Sequence, residues 1–484
     1  MAMTRFRFNS AVVLPAALAT GCVAVPDAPQ PPSLELASPS TFDHSDRNGL
    51  AAMSVAGDWW RTFDDPMLGD LVTAALEQNR DLDVALADIR TARARLVAEG
   101  LERTLSTSSS ASAEFGQAPR AGADAEFSGS GQLGASWEYD AFGRIDALVA
   151  AAEAGLDSEI ELQRDLAVTV AANTALAYAE LRGSQVRLAV ARSNAALQGD
   201  SLALLRTLFE NGRATRLDLE RAESQFRTTL ASVPQIEARM RIAAANLVTL
   251  TGQTSLLETP LVERALAAPG TIPGPPNVLA LETPEALIRR RPDVRAAEAE
   301  IAQLLALGEA DRARLFPTLT FNANLLSLFN ETNDLGDSFG FGIGPAIRWE
   351  GPDLRRVRAD IDVNDARTRR AIENYERIVV EALGEVETAL IGYAFERARR
   401  ADLEAAAASA ERATSLARLR FEEGVDDFLD VIDAQRAQLD AQDRLEISRL
   451  ETTRQAIFAY RALGGIWSAE QINETRAIGD TPNG

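Results

Sequence analysis

Lysine is absent from the 484-residue sequence, so all 49 basic residues are arginine, a composition bias that carries no function of its own. Cysteine and histidine occur once each, as Cys22 and His44. A single thiol excludes an intrachain disulfide, and a lone imidazole with no thiol or second imidazole nearby leaves no metal site of the usual kind. There is no Gly-rich phosphate loop, no Ser-His-Asp arrangement beyond His44 and no metal-ligand spacing, so no catalytic residue, no metal and no cofactor are expected. Basic residues are outnumbered by 71 acidic ones, for a net charge of −22. Phosphate binding needs clustered positive charge, which argues against a nucleic-acid partner. Past the first 22 residues no apolar run approaches the roughly 20 that a membrane-spanning helix needs. If the chain crosses a membrane, it does so as strands.

What is present begins with a leader. Arg5 and Arg7 precede an apolar stretch from Ala11 to Leu18, and Leu18-Ala19-Thr20-Gly21-Cys22 reads as a bacterial lipobox with Ala19 where leucine is usual. Cleavage before Cys22 and acylation of its thiol and new amine give the several chains that stable anchoring requires. Without Arg5 and Arg7 the balance is 47 − 71, or −24. Residues 22–57 carry Pro26, Pro29, Pro31, Pro32 and Pro39 among small polar residues, the composition of an extended tether.

Beyond the tether the chain repeats itself. Leu76 to Ile89 corresponds to Ile288 to Ile301, Trp137-Glu138 to Trp349-Glu350, Gly212 to Gly424, Leu217-Asp218 to Leu429-Asp430, and Gly252 to Gly464, each pair 212 apart. A constant offset across landmarks of different type means two copies of one unit. The expected division is a leader 1–21, the lipidated tether 22–57, a first repeat 58–265, a linker 266–283, a second repeat 284–467 and a tail 468–484. Each repeat reads as a helix of about 30 residues, a strand pair, a very long helix, a sharp turn and a second long helix ending at a glycine. From about Arg144 to Phe209 there is no proline, and Ile160, Ala167, Thr174, Leu181 and Leu188 recur every seven residues. At 1.5 Å per residue that helix runs to roughly 100 Å. The pattern returns from about Leu354 to Phe421, with turns at Glu210 to Arg213 and Glu422 to Val425. The fold class is therefore mainly α with a small β part.

In the second strand pair Thr318, Thr320, Asn322 and Asn324 alternate with Leu319, Phe321, Ala323 and Leu325. After a turn at Glu331–Asp337, Phe339, Phe341, Ile343 and Ile347 alternate with small residues. Apolar outside and polar inside is the pattern of a transmembrane barrel strand. The first pair is weaker: Ser106 to Phe115 is mostly serine and alanine, and Phe127, Leu133 and Trp137 mark one face. Four strands cannot close a barrel, and open edges in hydrocarbon leave backbone groups unpaired. The chain must then oligomerise. Two copies make eight strands and three make twelve; the residues alone do not choose.

Five segments in order resemble the TolC-like outer-membrane factors, in particular their NodT-type, OprM-like lipoprotein branch. They are Trp59-Trp60 with Phe63, Asp65-Pro66 and Leu68; Trp137-Glu138 with Asp140 and Phe142-Gly143-Arg144; Arg290 to Glu298; Leu315-Phe316-Pro317 with Leu319; and Leu429 to Arg436. The resemblance implies a homotrimer in the outer membrane, with a twelve-stranded transmembrane β-barrel, four strands per chain, above a long coiled α-helical barrel in the periplasm. It also implies a passive exit duct for drugs or other small solutes. Partners would be a periplasmic membrane-fusion adaptor, docked at the helix tips (Asn211, Gly212, Arg213, Glu423, Gly424, Val425), an inner-membrane pump, commonly of the resistance-nodulation-division class, and outer-membrane lipid.

Carried over by position, the periplasmic gate falls on Leu429, Asp430 and Asp433, with Asp218 and Arg221 at the equivalent places of the first repeat (430 − 212 and 433 − 212). The change from Asp433 to Arg221 lets acid and base alternate around the ring, and rings of carboxylates favour cations. Asp218 and Asp430 also suit helix N-termini as caps. Asp426 stands where some members carry an arginine latch, and Pro352 and Arg355 replace an aromatic and a glycine at the second strand-to-helix corner. A channel for type I protein secretion or metal export would share this fold. A non-conducting periplasmic coiled-coil scaffold would lack the barrel strands that the Thr318 to Asn324 alternation indicates.

Overall fold

The computed structural model describes residues 41–42, 50–52, 57–117, 125–256, 259–268, 270–276, 279–281, 283–330 and 339–465. Cys22, His44, the leader, the tail and the turn at Glu331–Asp337 lie outside them. Among the described residues two compact units emerge, one built on residues within 103–144 and 308–365, the other on residues within 41–102, 145–307 and 366–465.

The first unit holds an antiparallel sheet of β2 (Ser106–Gln117), β3 (Ala125–Tyr139), β5 (Thr318–Asn330) and β6 (Phe339–Arg348) in the order β2-β3-β5-β6. Gly134 sits opposite Ser108 on one side and Asn324 on the other, and Asn324 opposite Gly342, so one repeat supplies each half of the sheet. The hairpins end alike. Trp137 Nε1 donates to the Arg103 carbonyl at 3.1 Å and Trp349 Nε1 to the Leu315 carbonyl at 3.0 Å, both members displaced by 212. Arg144 forks onto Glu138 with two bonds of 3.0 Å. Arg314 reaches Glu350 at 3.3 Å in the second repeat.

The second unit is helical. The long helices are α3 (Arg144–Glu210, 67 residues), α4 (Arg216–Leu250), α8 (Arg355–Glu422, 68 residues) and α9 (Phe428–Ala462), close to the spans expected. The lead-in helix differs from its expectation as one piece. It is broken into α1 (Pro66–Gln78) and α2 (Arg80–Leu101), and in the second repeat into α6 (Pro284–Arg290) and α7 (Pro292–Ala313). The break is local chemistry. Buried Asn79 accepts from the Asp81 and Leu82 amides, and its Nδ2 donates to the Leu250 carbonyl. Pro292 at the first position of α7 has no amide to continue α6.

The core gathers Trp59, Trp60 and Phe63 with α1, α3, α4, α8 and α9, and Trp59 stacks on Tyr460 at 5.2 Å between ring centroids. Tyr178 donates to Asp65 at 2.8 Å and accepts from Arg182, whose guanidinium also reaches the carbonyls of Ala265 and Ala268 at the end of α5 (Pro260–Ala267). Parts of the segment expected as a tether pack. Phe42 is buried in this core, and β1 (Leu50–Ala52) pairs in parallel with β4 (Leu279–Leu281).

Candidate functional site

Two features carry the functional reading, the strand faces and the helix tips. In the sheet the period of two sends alternate side chains to opposite faces. Phe341, Ile343, Ile347 and Phe115 are 85%, 82%, 74% and 71% exposed, an apolar surface that water would not leave bare on a soluble protein. Trp137 joins Phe321 at 5.8 Å and Tyr139 at 6.1 Å on that side, an aromatic group of the kind that sits at a membrane boundary. The other face is polar. Ser112 and Ser130 hydroxyls are 2.8 Å apart, Ser136 donates to Asn322 at 2.8 Å, and Asn322 donates to Thr320 at 3.1 Å. Leu326 and Leu328 interrupt this polar face at its far end, opposite Gln132 and Ser130. Among the described residues no helix is long and apolar enough to cross a membrane.

At the tips, α3 and α8 end the same way. Gly212 and Gly424 take φ of 69° and 75°, and the amides of Arg213 and Val425 return to the carbonyls of Leu208 and Arg420. Left-handed backbone closes a helix at low cost only with glycine. Leu202 and Leu205 of α3, Ala222 of α4, and Phe428, Val431 and Ile432 of α9 form one apolar cluster, and Phe421 meets Phe428 edge-on at 5.0 Å. That cluster brings the two turns to one end of the unit. Asn211, Gly212, Arg213, Glu423, Gly424 and Val425 are all exposed there.

The same packing sets the exposure of the gate candidates. With Val431 and Ile432 turned inward, Leu429, Asp430 and Asp433 lie on the open face of α9, and Arg221 is open on α4. Asp218 is half-buried because it caps its own helix. Its carboxylate accepts from the Thr215 amide and hydroxyl, while the Asp218 amide donates to the Thr215 hydroxyl. Asp430 has no such tie: the cap of α9 is Asp427, whose side chain makes no capping bond. Asp426, in the place of the latch arginine, accepts from Arg420 at 2.6 Å. That hydrogen bond and the Asp426 charge, with a smaller contribution from Asp430, raise the Arg420 pKa. Leu217 lies outside the expected gate set, although it is 58% exposed and stands one offset from Leu429 (429 − 212); the repeat itself is the signal that marks it.

A sheet with one apolar and one polar face, open at two edges, and a helical unit with paired tips are the features of a membrane channel subunit. The family model described as "Outer membrane efflux protein" matches residues 71–253 and 283–465, two segments again displaced by 212. Nodulation protein T of Rhizobium leguminosarum bv. trifolii is 28% identical over 87% of this chain and 89% of its own length. The toluene efflux pump outer membrane protein TtgF of Pseudomonas putida is 28% identical over 93% of this chain and 95% of its own. The solved outer-membrane channel OprN superposes with a TM-score of 0.81 at 32% identity, covering 92% of this chain and 100% of that one. The chain belongs to the outer membrane efflux protein family. It is an outer-membrane channel of tripartite efflux, located in the outer membrane with a periplasmic part.

Proposed function

We propose that the chain works as a homotrimer whose twelve strands close one barrel, forming a passive duct that catalyses nothing and moves small solutes outward. The observation that carries this is the four-stranded sheet with β2 and β6 as open edges: edge backbone groups in hydrocarbon must be paired, and only further copies supply the strands. A periplasmic adaptor docks at Asn211, Gly212, Arg213, Glu423, Gly424 and Val425, where exposed Val425 and Leu217 offer apolar anchors beside charged residues. An inner-membrane pump of the resistance-nodulation-division class supplies the energy. Leu429, Asp430 and Asp433, with Asp218 and Arg221, form the periplasmic gate. Acylated Cys22 holds the chain to the membrane, and the division into leader 1–21, tether 22–57, repeats 58–265 and 284–467, linker 266–283 and tail 468–484 follows that plan. The relative that exports toluene by name supports small apolar solutes as one cargo class. The test is conductance of the detergent-extracted protein in a planar bilayer together with its mass in detergent. Cation-favouring pores from a trimer support the reading, and a monomeric, non-conducting species overturns it.

A further inference from the structure

One place in the helical unit is built twice and differently. In the first repeat Leu188, Ala191 and Ile236 close on one another, with Val233 and Met240 against them, and Arg192 pairs with Glu237 one residue further along each helix. The 212 offset carries Leu188 to Arg400, Ile236 to Ser448, Met240 to Thr452 and Pro234 to Glu446. It carries the pair of Arg192 and Glu237 to Glu404 and Arg449, the same pair with its charges exchanged. An apolar contact has become a charged one. Arg400, Glu404, Glu446 and Arg449 line a cavity of about 310 Å³, whose other walls are Val186 of α3, Thr453 of α9 and the segment 271–275 between the two repeats.

The charges in this cavity are incompletely paired. Glu404 lies 3.6 Å from both Arg400 and Arg449, too far for a hydrogen bond to either. Among the described residues neither the Arg400 nor the Glu404 side chain makes one. Glu446 is only 7% exposed. One of its oxygens accepts from Arg449 at 2.9 Å, and the other takes no donor from the described residues. Burial raises the Glu446 carboxyl pKa; Arg449 opposes the rise, and Glu404 and Asp443 add to it. An acceptor so placed is unfavourable to leave open, because burial removes the water that would serve it. The wall segment adds acceptors rather than donors: Pro273 and Pro275 have no amide hydrogen, and Thr453 gives its hydroxyl to the Pro273 carbonyl at 2.7 Å.

Two arginines against two glutamates leave the cavity with no formal net charge. A simple anion would meet Glu404 and Glu446 beside the arginines, and a simple cation would meet Arg400 and Arg449 beside the glutamates. A ligand that carries both signs avoids either clash. We propose that the cavity binds a small zwitterion of the α-amino acid class. Its carboxylate lies on Arg400 and Arg449, whose planar guanidinium groups suit that geometry. Its ammonium lies on the open oxygen of Glu446, and an apolar side chain lies against Val186, Ile272 and Pro275. The site is complete within one chain and shares no residue with the gate candidates or the helix tips, so it stands apart from the homotrimer reading.

Thermal unfolding of the full-length chain in detergent, with and without L-leucine, tests the site. Leucine at millimolar concentration should raise the transition temperature. Isocaproate, which lacks the ammonium, and isoamylamine, which lacks the carboxylate, should not. Arg400→Gln and Glu446→Gln, the second of which keeps the shape of the side chain and removes its charge, should each abolish the leucine shift. Arg192→Gln, in the matching pair of the first repeat, should leave it intact. Equilibrium dialysis with radiolabelled leucine gives a second reading that is independent of how a variant melts: saturable binding in the parent and in Arg192→Gln, lost in the other two. A shift that either single-charge analogue reproduces, or binding that persists in Arg400→Gln, places the ligand elsewhere and overturns the site. Neither shift nor saturable binding in the parent overturns it as well.

Discussion

Gly252 and Gly464 end α4 and α9 with φ of 70° and 82°, a backbone shape that other residues adopt at a cost. At Gly252 an added Cβ would also run into the Gln78 carbonyl oxygen, so neither the backbone nor a flexible side chain has room to give. Gly252→Ala should therefore destabilise the folded chain by about 1–3 kcal/mol, seen as an earlier thermal transition in detergent. Gly100→Ala, where an added Cβ meets open space, serves as the control and should not shift the transition downward. Asp165 offers a residue-scale test of charge. Burial raises its carboxyl pKa, Asp293 and Glu385 add to the rise, and Arg291 and Arg461 oppose it. A carboxyl whose folded pKa lies above the unfolded 3.8 lends stability that is complete below that value and lost as pH rises through the folded one. An asparagine in its place does not titrate. The melting temperature of Asp165→Asn minus that of the parent should grow as pH rises from about 4 to 8, and a difference flat across that range would show that Asp165 ionises freely in the folded chain.

At the scale of elements, the two tip turns share their glycine closures and differ in what starts the next helix. Thr215 and Asp218 cap α4 reciprocally, an arrangement worth about 0.5–2 kcal/mol when the hydroxyl is removed. The carboxylate of Asp218 is thereby committed to its own helix. Asp430 and Asp433 carry exposed charge on the open face of α9. If those charges constrict the duct, Asp430→Asn with Asp433→Asn should raise single-channel conductance and weaken cation preference. Unchanged conductance and selectivity would remove both residues from the gate.

Long helices and tight turns were legible in the sequence because each has a periodic or positional mark: the seven-residue rhythm along α3, and Gly212 and Gly424 at the turns. The second hairpin was legible for the same reason, as Phe339, Phe341, Ile343 and Ile347 alternate with small residues. The first hairpin was weaker because its apolar-side positions include Thr107, Ser109, Ala111, Ala113, Gly129 and Gly131, too small to write a clear alternation. The break at Asn79 is harder to read. It depends on a contact to the Leu250 carbonyl 171 residues away, although Asn79 two residues before Asp81 is itself a capping signal. Of the candidate gate, Leu429, Asp430 and Asp433 came from the family resemblance and Asp218 and Arg221 from the 212 offset, while the commitment of Asp218 to a cap, which Asp430 does not share, depended on the residue at each N-cap, threonine in one repeat and aspartate in the other.

For the whole molecule the governing quantity is charge. A net −22 per chain, with Glu114 and Glu138 among the polar-face positions of the sheet and carboxylates open at the tips, surrounds the chain with a negative field. Such a field acts through water and is screened over a Debye length of about 10 Å at 0.1 M salt and about 3 Å at 1 M. A pore that prefers cations through this field should lose most of its preference as salt rises over that range. A pore that prefers them through direct coordination at a ring of carboxylates should keep it, because short contacts are little screened. Reversal potentials across a fixed salt gradient, repeated from about 0.05 to 1 M, separate the two. The exposed placement of Asp430 and Asp433, with no buried ligand set among the described residues, favours the first outcome, a cation-to-anion permeability ratio falling toward one at high salt. A ratio that holds at about 1 M would locate selectivity in a narrow ring instead, and the Asp430 and Asp433 substitutions would then be the direct way to find it.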